Sequence, residues 1–295
     1  MAKSFSGGLR GLRGLRGLRA LIAGFGTVVL TTALLLPGSA GAQAVVNTVK
    51  LGACDDLLGV CLANPTQRYK HGVFGQPFEY GTILTIDENG AALRPYNLPF
   101  EQVFEDRRVR VVDLDDDGLS EVILIVADRN RGAAVALYAF DPGDDGNSAT
   151  VYPMAQSDFI GAPNRWLNPL DGAVDLDGDG SREIAVIETP HIAPTLRVHQ
   201  WNGGQLDTLA RIPLGGYSNH AFGSLQLAGS LFCEADVPGR ALVQIPSADG
   251  GPAGVFIFDL ADGTLRLTEL QPTDLYTADF FIQNRACAAL LQQLG

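Results

Sequence analysis

Asp175-Leu-Asp-Gly-Asp-Gly-Ser-Arg-Glu183 decides how the chain reads. Carboxylates stand at its first, third, fifth and ninth positions (Asp175, Asp177, Asp179, Glu183), and Gly180 holds the sixth. Calcium takes roughly six to eight hard oxygen ligands, and alternating aspartates on a tight loop supply several at once. Gly180 permits the sharp turn that aims the three aspartates at one point. The carbonyl of Ser181 is expected as a further ligand, and Glu183 closes the loop. Without a cation the four carboxylates would repel one another.

Working outward, the pattern recurs at Asp113-Leu-Asp-Asp-Asp-Gly-Leu-Ser-Glu121. Asp113, Asp115, Asp117 and Glu121 match position for position, Gly118 matches Gly180, and the Leu119 carbonyl takes the place of Ser181. A helix–loop–helix site would close on a Glu at its twelfth position, and those positions hold Leu124 and Val186. Strand-like runs flank both loops: Arg110-Val-Val112 and Glu121-Val-Ile-Leu-Ile-Val126 around one, Gly172-Ala-Val174 and Glu183-Ile-Ala-Val-Ile187 around the other. The reading is two strand–loop–strand Ca2+ sites of structural type.

Further out, four segments read as hairpins across Gly/Asn/Asp turns. They are Thr82–Gly90 into Ala91–Arg94, Ala136–Phe140 into Ala149–Tyr152, Leu196–Trp201 into Leu206–Ile212, and Val255–Phe258 into Thr264–Leu267. Their turns recur at roughly 52 to 60 residues. The aspartate loops lie in two of the three intervals. In the third, Cys233-Glu-Ala-Asp236-Val-Pro-Gly239 reads as a decayed copy without metal. Each unit is then about four short antiparallel strands, which is the build of a propeller blade and must pack against neighbouring copies. The first unit is expected to lack a calcium strand pair before Gly75.

Smaller echoes accompany the repeat. Tyr69-Lys-His71-Gly-Val-Phe74-Gly75 is similar to Tyr217-Ser-Asn-His220-Ala-Phe222-Gly223, with Phe159-Ile-Gly161-Ala-Pro163 a weaker relative. The Phe-Gly and Gly-Ala-Pro pieces, followed by Asp-x-Asp-x-Asp-Gly-x-x-Glu and a β-branched strand, resemble FG-GAP (VCBS-type) β-propeller repeats. The resemblance is specific at 109–126 and 171–188 and looser over 69–270. It implies an all-β fold with calcium held between two strands of a blade. The family usually closes seven blades, whereas about four units are legible here. A small ring, an incomplete ring and assembly with another chain all remain open. The expected architecture is therefore a small or partial β-propeller of about four four-stranded blades. A strand from 274–283 and a short C-terminal helix over Ala286–Leu294 are expected to follow it.

Residues 1–44 read as a secretory signal, leaving 45–295 as the propeller domain. Lys3, Arg10, Arg13, Arg16 and Arg19 precede an apolar run from Ala20 to Leu36 and small-residue cleavage options at Ala42 and Ala44. The chain is expected in the periplasm or secreted, with no later membrane span. It carries 33 acidic and 21 basic residues, a net charge of -12, so nucleic acid is an unsuitable partner. Cys54, Cys61, Cys233 and Cys287 suggest two disulfides, favoured as Cys54–Cys61 and Cys233–Cys287.

The four histidines are His71, His191, His199 and His220, in no metalloprotease spacing. His71 and His220 recur in the Phe-Gly echoes, which would set both on one face of the ring. Trp166 and Trp201 read as core aromatics before sugar-stacking faces. No nucleophile elbow or phosphate-binding glycine loop is present. The expectation is a non-catalytic binding or scaffold module for a protein or carbohydrate ligand. The alternative is a secreted propeller hydrolase or lyase acting on polysaccharide, which requires two free carboxylates, or a carboxylate with His71 or His220, at a pocket.

Overall fold

The computed structural model describes residues 49–55, 57–87, 89–144, 148–175, 180–232, 240–249, 253–259 and 264–267. They form strands and connections only, with no helix among them. The expected signal segment, the decayed loop at 233–239, the Cys233–Cys287 bridge, the strand at 274–283 and the C-terminal helix lie outside the described residues.

Among the described residues, seventeen strands lie in two curled sheets. The first begins with β1 (Leu51–Asp55) and β2 (Val60–Thr66), an antiparallel pair with Cys54 opposite Cys61 and the two joined by a disulfide. A strand pair therefore does precede Gly75, although no aspartate loop joins it. β3 (Glu79–Thr85) pairs with β2 and with β4 (Tyr96–Asn97). The expected return strand at Ala91–Arg94 contributes only a bridge, Ile86 opposite Ala92. The Asp87 carboxylate captures the backbone N–H groups of Asn89 and Ala91, and Pro95 has no N–H to give, so regular pairing starts later.

β5 (Gln102–Phe104) and β6 (Arg110–Val112) are two pieces of one interrupted strand. They pair with the end and the start of β7 (Glu121–Asp128), and β8 (Gly132–Asp141) and β9 (Thr150–Gln156) follow as a meander. The second sheet holds two more meanders. One is β10 (Leu167–Val174), β11 (Glu183–Glu188), β12 (Thr195–Trp201) and β13 (Leu206–Pro213). The other is β14 (Ser230–Phe232), β15 (Arg240–Ile245), β16 (Gly254–Asp259) and β17 (Thr264–Leu267). A parallel contact at Asp171 and Ser230 joins their first strands.

The meanders stack face to face, and side-chain alternation shows how. On β7, Val122, Leu124 and Val126 enter a core shared with Val60, Leu62 and Ile83. Ile123 and Ile125 turn the other way, into a core shared with Trp166, Leu167, Ile184 and Val186. On β11, Ile184 and Val186 belong to that second core, while Ala185 and Ile187 enter a third with Val243, Ile245 and Phe258. A strand buried on both faces needs apolar side chains along its length, so Val122–Ala127 of β7 and Ile184–Ile187 of β11 read as unbroken apolar runs rich in Val and Ile. Trp166 is buried and Trp201 partly buried, both in the second core, as expected of core aromatics.

The two Phe-Gly echoes meet. Gly223 N–H donates to the Val73 carbonyl at 2.8 Å. Gly75 has φ +70°, and a Cβ added to it would lie 2.6 Å from the Gly223 carbonyl oxygen. Glycine is needed there for conformation and for space.

Candidate functional site

The two aspartate loops occupy equivalent places. Val112 is opposite Glu121 across β6 and β7, and Val174 is opposite Glu183 across β10 and β11. Gly118 N–H donates to Asp113 Oδ2 at 3.0 Å, and Gly180 N–H donates to Asp175 Oδ2 at 3.1 Å. Both glycines have positive φ, 86° and 94°. Asp177 and Asp179 lie outside the described residues.

In the complete loop, Asp113, Asp115 and Asp117 bring carboxylate oxygens within 4.8 Å of one another. Asp115 Oδ1 is buried without a hydrogen-bond partner. Leu119 N–H donates to Asp117 Oδ1 at 2.7 Å, turning the backbone around the cluster. Glu121 Oε2 accepts from Leu114 N–H at 2.8 Å, and burial, with the three aspartates next to it, pushes its carboxyl above the usual range. Glu183 is fully buried and accepts from Gln200 Nε2 at 2.9 Å. Hard oxygens with one orphaned buried acceptor suit a divalent cation such as Ca2+.

The loops also touch each other, which their spacing did not reveal. Arg182 N–H donates to the Leu114 carbonyl at 2.7 Å, and its guanidinium reaches the Asp113 carbonyl and, at 3.7 Å, Asp116.

A second constellation forms where connections between strands converge. His71 Nδ1 lies 2.7 Å from Glu105 Oε1, and Trp166 Nε1–H donates to the Glu105 carbonyl at 2.9 Å. Glu105 is fully buried, and burial, followed by the charge of Asp106, holds its carboxyl well above the usual range. Glu79 is buried as well, with neither carboxylate oxygen hydrogen-bonded, and its pKa is pushed up to about 9 by burial and then by Glu105.

His191 Nε2 lies 2.7 Å from His220 Nδ1, and His220 Nε2 lies 2.9 Å from the Ser224 carbonyl. Trp166 stacks on His191 and meets His220 edge-on, fixing both rings. Burial, then His220 and His71, lowers His191 to about 4. His199 stands apart, buried in β12 beside Thr208.

An open depression of about 220 Å³ lies over this cluster, walled by His71, Arg165, His191, Ile192 and Phe222 among others. A neighbour of about 250 Å³ shares His71 and is bordered by Tyr69, Lys70 and Gln76. Ile192 and Phe222 leave over half of their surfaces exposed at the rim. The sequence pointed to His71 and His220 through their echo. It gave no signal for Glu105, Arg165 or His191, because they come from connections with no shared spacing.

No helix among the described residues is long and apolar enough to cross a membrane. Comparison with protein-family models and with curated proteins returns no match.

Proposed function

We propose that the chain is an exported, calcium-stabilised β-propeller of FG-GAP type that serves as a non-catalytic binding module. Its four meanders would be the blades, its two aspartate loops would each hold one Ca2+, and the depression at His71, His191 and Phe222 would receive a protein or carbohydrate ligand. The observation that carries the binding reading is the make-up of that depression. Histidines fixed by partners and an exposed Ile192–Phe222 rim surround it, and no carboxylate is among its described lining residues. Such convergent polar groups beside apolar surface are the usual form of a small-ligand site.

The reading is tested by polysaccharide and protein-ligand binding to the purified protein and to Phe222→Ala. Loss of retention in the variant, with unchanged melting temperature, supports it. Retention that is indifferent to Phe222 and His71 refutes it.

One observation favours a second reading, a secreted hydrolase or lyase acting on polysaccharide. His71 stands at the pocket with Glu105 behind it, a carboxyl–imidazole pair of the kind that positions a general base. Glu105 is too deeply buried to touch a substrate, and glycoside hydrolysis ordinarily needs two carboxyl groups flanking the bond. Binding therefore ranks first. New reducing ends or unsaturated products, lost in His71→Asn, would reverse that order.

A further inference from the structure

We propose that the depression between His71, Arg165 and His191 binds a carboxylate carried on a hydroxylated ligand, the chemistry of a uronic-acid unit in an acidic polysaccharide. The inference rests on the binding reading above and names the ligand class for the same pocket.

Charge is the first observation. In a chain of net charge -12, neither this depression nor its neighbour across His71 has an acidic residue among its described lining residues. Arg165 borders the first and Lys70 the second. Arg165 is half-buried and makes no ion pair or side-chain hydrogen bond among the described residues, so its five N–H donors are open. A guanidinium kept clear of carboxylates on so acidic a protein suits two-point recognition of an anionic group.

Proton accounting adds a second donor and an acceptor. The Glu105–His71 pair is buried, and burial favours retention of its shared proton. With that proton on Glu105, or on Nδ1 of a charged ring, His71 Nε2 carries its own hydrogen, so it faces the ligand as a donor. The opposite holds at His191. The Ser224 carbonyl takes the His220 Nε2 hydrogen, so His220 Nδ1 accepts from His191 Nε2–H. His191 Nδ1 is left as an acceptor, which a carboxylate would not seek and a hydroxyl would.

One full positive charge, one imidazole donor, one acceptor and the apolar faces of Ile192 and Phe222 match a ring that bears a monoanion and hydroxyls. A phosphate dianion would call for more cationic charge, or for converging backbone N–H groups at a helix N-terminus, and no helix is present among the described residues. The small volume fits one such unit of a chain lying across the opening.

The test is calorimetric titration of the full chain, in calcium, with trigalacturonate and with its methyl ester, which keeps the hydroxyls and removes the charge. The acid is expected to bind roughly tenfold or more tightly than the ester, and Arg165→Gln to abolish most of that preference. Equal affinity for acid and ester overturns the carboxylate inference and leaves the binding-module reading standing. Failure of the acid to bind overturns the inference too, since the binding reading has its own test at Phe222. Cleavage of bound trigalacturonate would overturn the non-catalytic reading while supporting carboxylate recognition. An unchanged melting temperature for Arg165→Gln ties its loss to the contact.

Discussion

Replacing Asp115 by Asn should change the sign of its effect with calcium. Asp113, Asp115 and Asp117 place carboxylate oxygens within 4.8 Å of one another, and Asp115 Oδ1 is buried with no donor. Two unit charges at that distance repel by about 0.9 kcal/mol in the water limit, and by more where solvent is partly excluded. Asp115 faces two such neighbours, so in chelator Asp115→Asn should gain roughly 1 to 2 kcal/mol, less in high salt. In calcium the balance reverses. An ion held only by the folded state stabilises by about 2.7 kcal/mol at a hundredfold excess over its dissociation constant, and the amide forfeits much of this. For a domain of this size 1 kcal/mol corresponds to about 2–4 °C. The variant should therefore melt several degrees above the wild-type protein in chelator and several degrees below it in millimolar calcium. Differential scanning fluorimetry of both proteins across a calcium titration reads this directly. Melting curves that keep the same order at every calcium concentration would refute the reasoning, because they would mean that no ion relieves the cluster.

Three further outcomes follow from the same geometry. Gly75→Ala should destabilise by a few kcal/mol, roughly 1 from the positive φ and the rest from the carbonyl at 2.6 Å, whereas Gly223→Ala, with open space around its Cβ position, should cost only the conformational part; denaturant midpoints compare them. Opening the Cys54–Cys61 bridge by Cys61→Ser should cost about 2.4 kcal/mol in the chain-entropy account, given its sequence separation of 7, and a reductant should have no further effect on that variant's melting temperature. Glu79 is raised from 4.5 to about 9 in the folded state, so the unfolded chain releases its proton first and stability falls as pH rises between those values. Glu79→Gln should remove that loss, with a gain over the wild-type protein growing by up to about 1.4 kcal/mol per pH unit from pH 5 to pH 9; a gain that stays flat with pH would mean the buried carboxyl is compensated.

Much of the fold was legible because burial leaves a periodic trace. Glu121–Val126 and Glu183–Ile187 could be read as strands from their β-branched runs, and the structure explains the missing alternation: their two faces enter two different cores. Hairpins with compact turns, such as β12 and β13, were found where expected. β1 and β2 leave no such trace because Gly52, Ala53, Asn64 and Pro65 dilute the strand signal, and the pair is held by register and a disulfide more than by propensity. The interruption between β5 and β6 was equally silent. There the Asp106 carboxylate accepts the Ile125 N–H and binds Arg110, doing with a side chain what a ladder would do with backbone.

The cluster of Asp113, Asp115 and Asp117 was legible because its members share a fixed spacing within one short segment. The pocket was not, because its members are assembled from separate connections. Glu105 meets His71 across 34 positions, and His220 meets His191 across 29. Arg182 shows the same limit on a smaller scale. It sits inside one aspartate motif, yet the Asp113 carbonyl that its guanidinium reaches belongs to the other, 69 positions away.

The most direct test of the account is calcium stoichiometry by isothermal titration of the chelator-stripped protein. The two loops predict two ions per chain for the wild-type sequence, one for Asp113→Asn and one for Asp175→Asn. No calcium heat, or two ions still bound after either substitution, would contradict the assignment of both loops and with it the calcium-stabilised propeller.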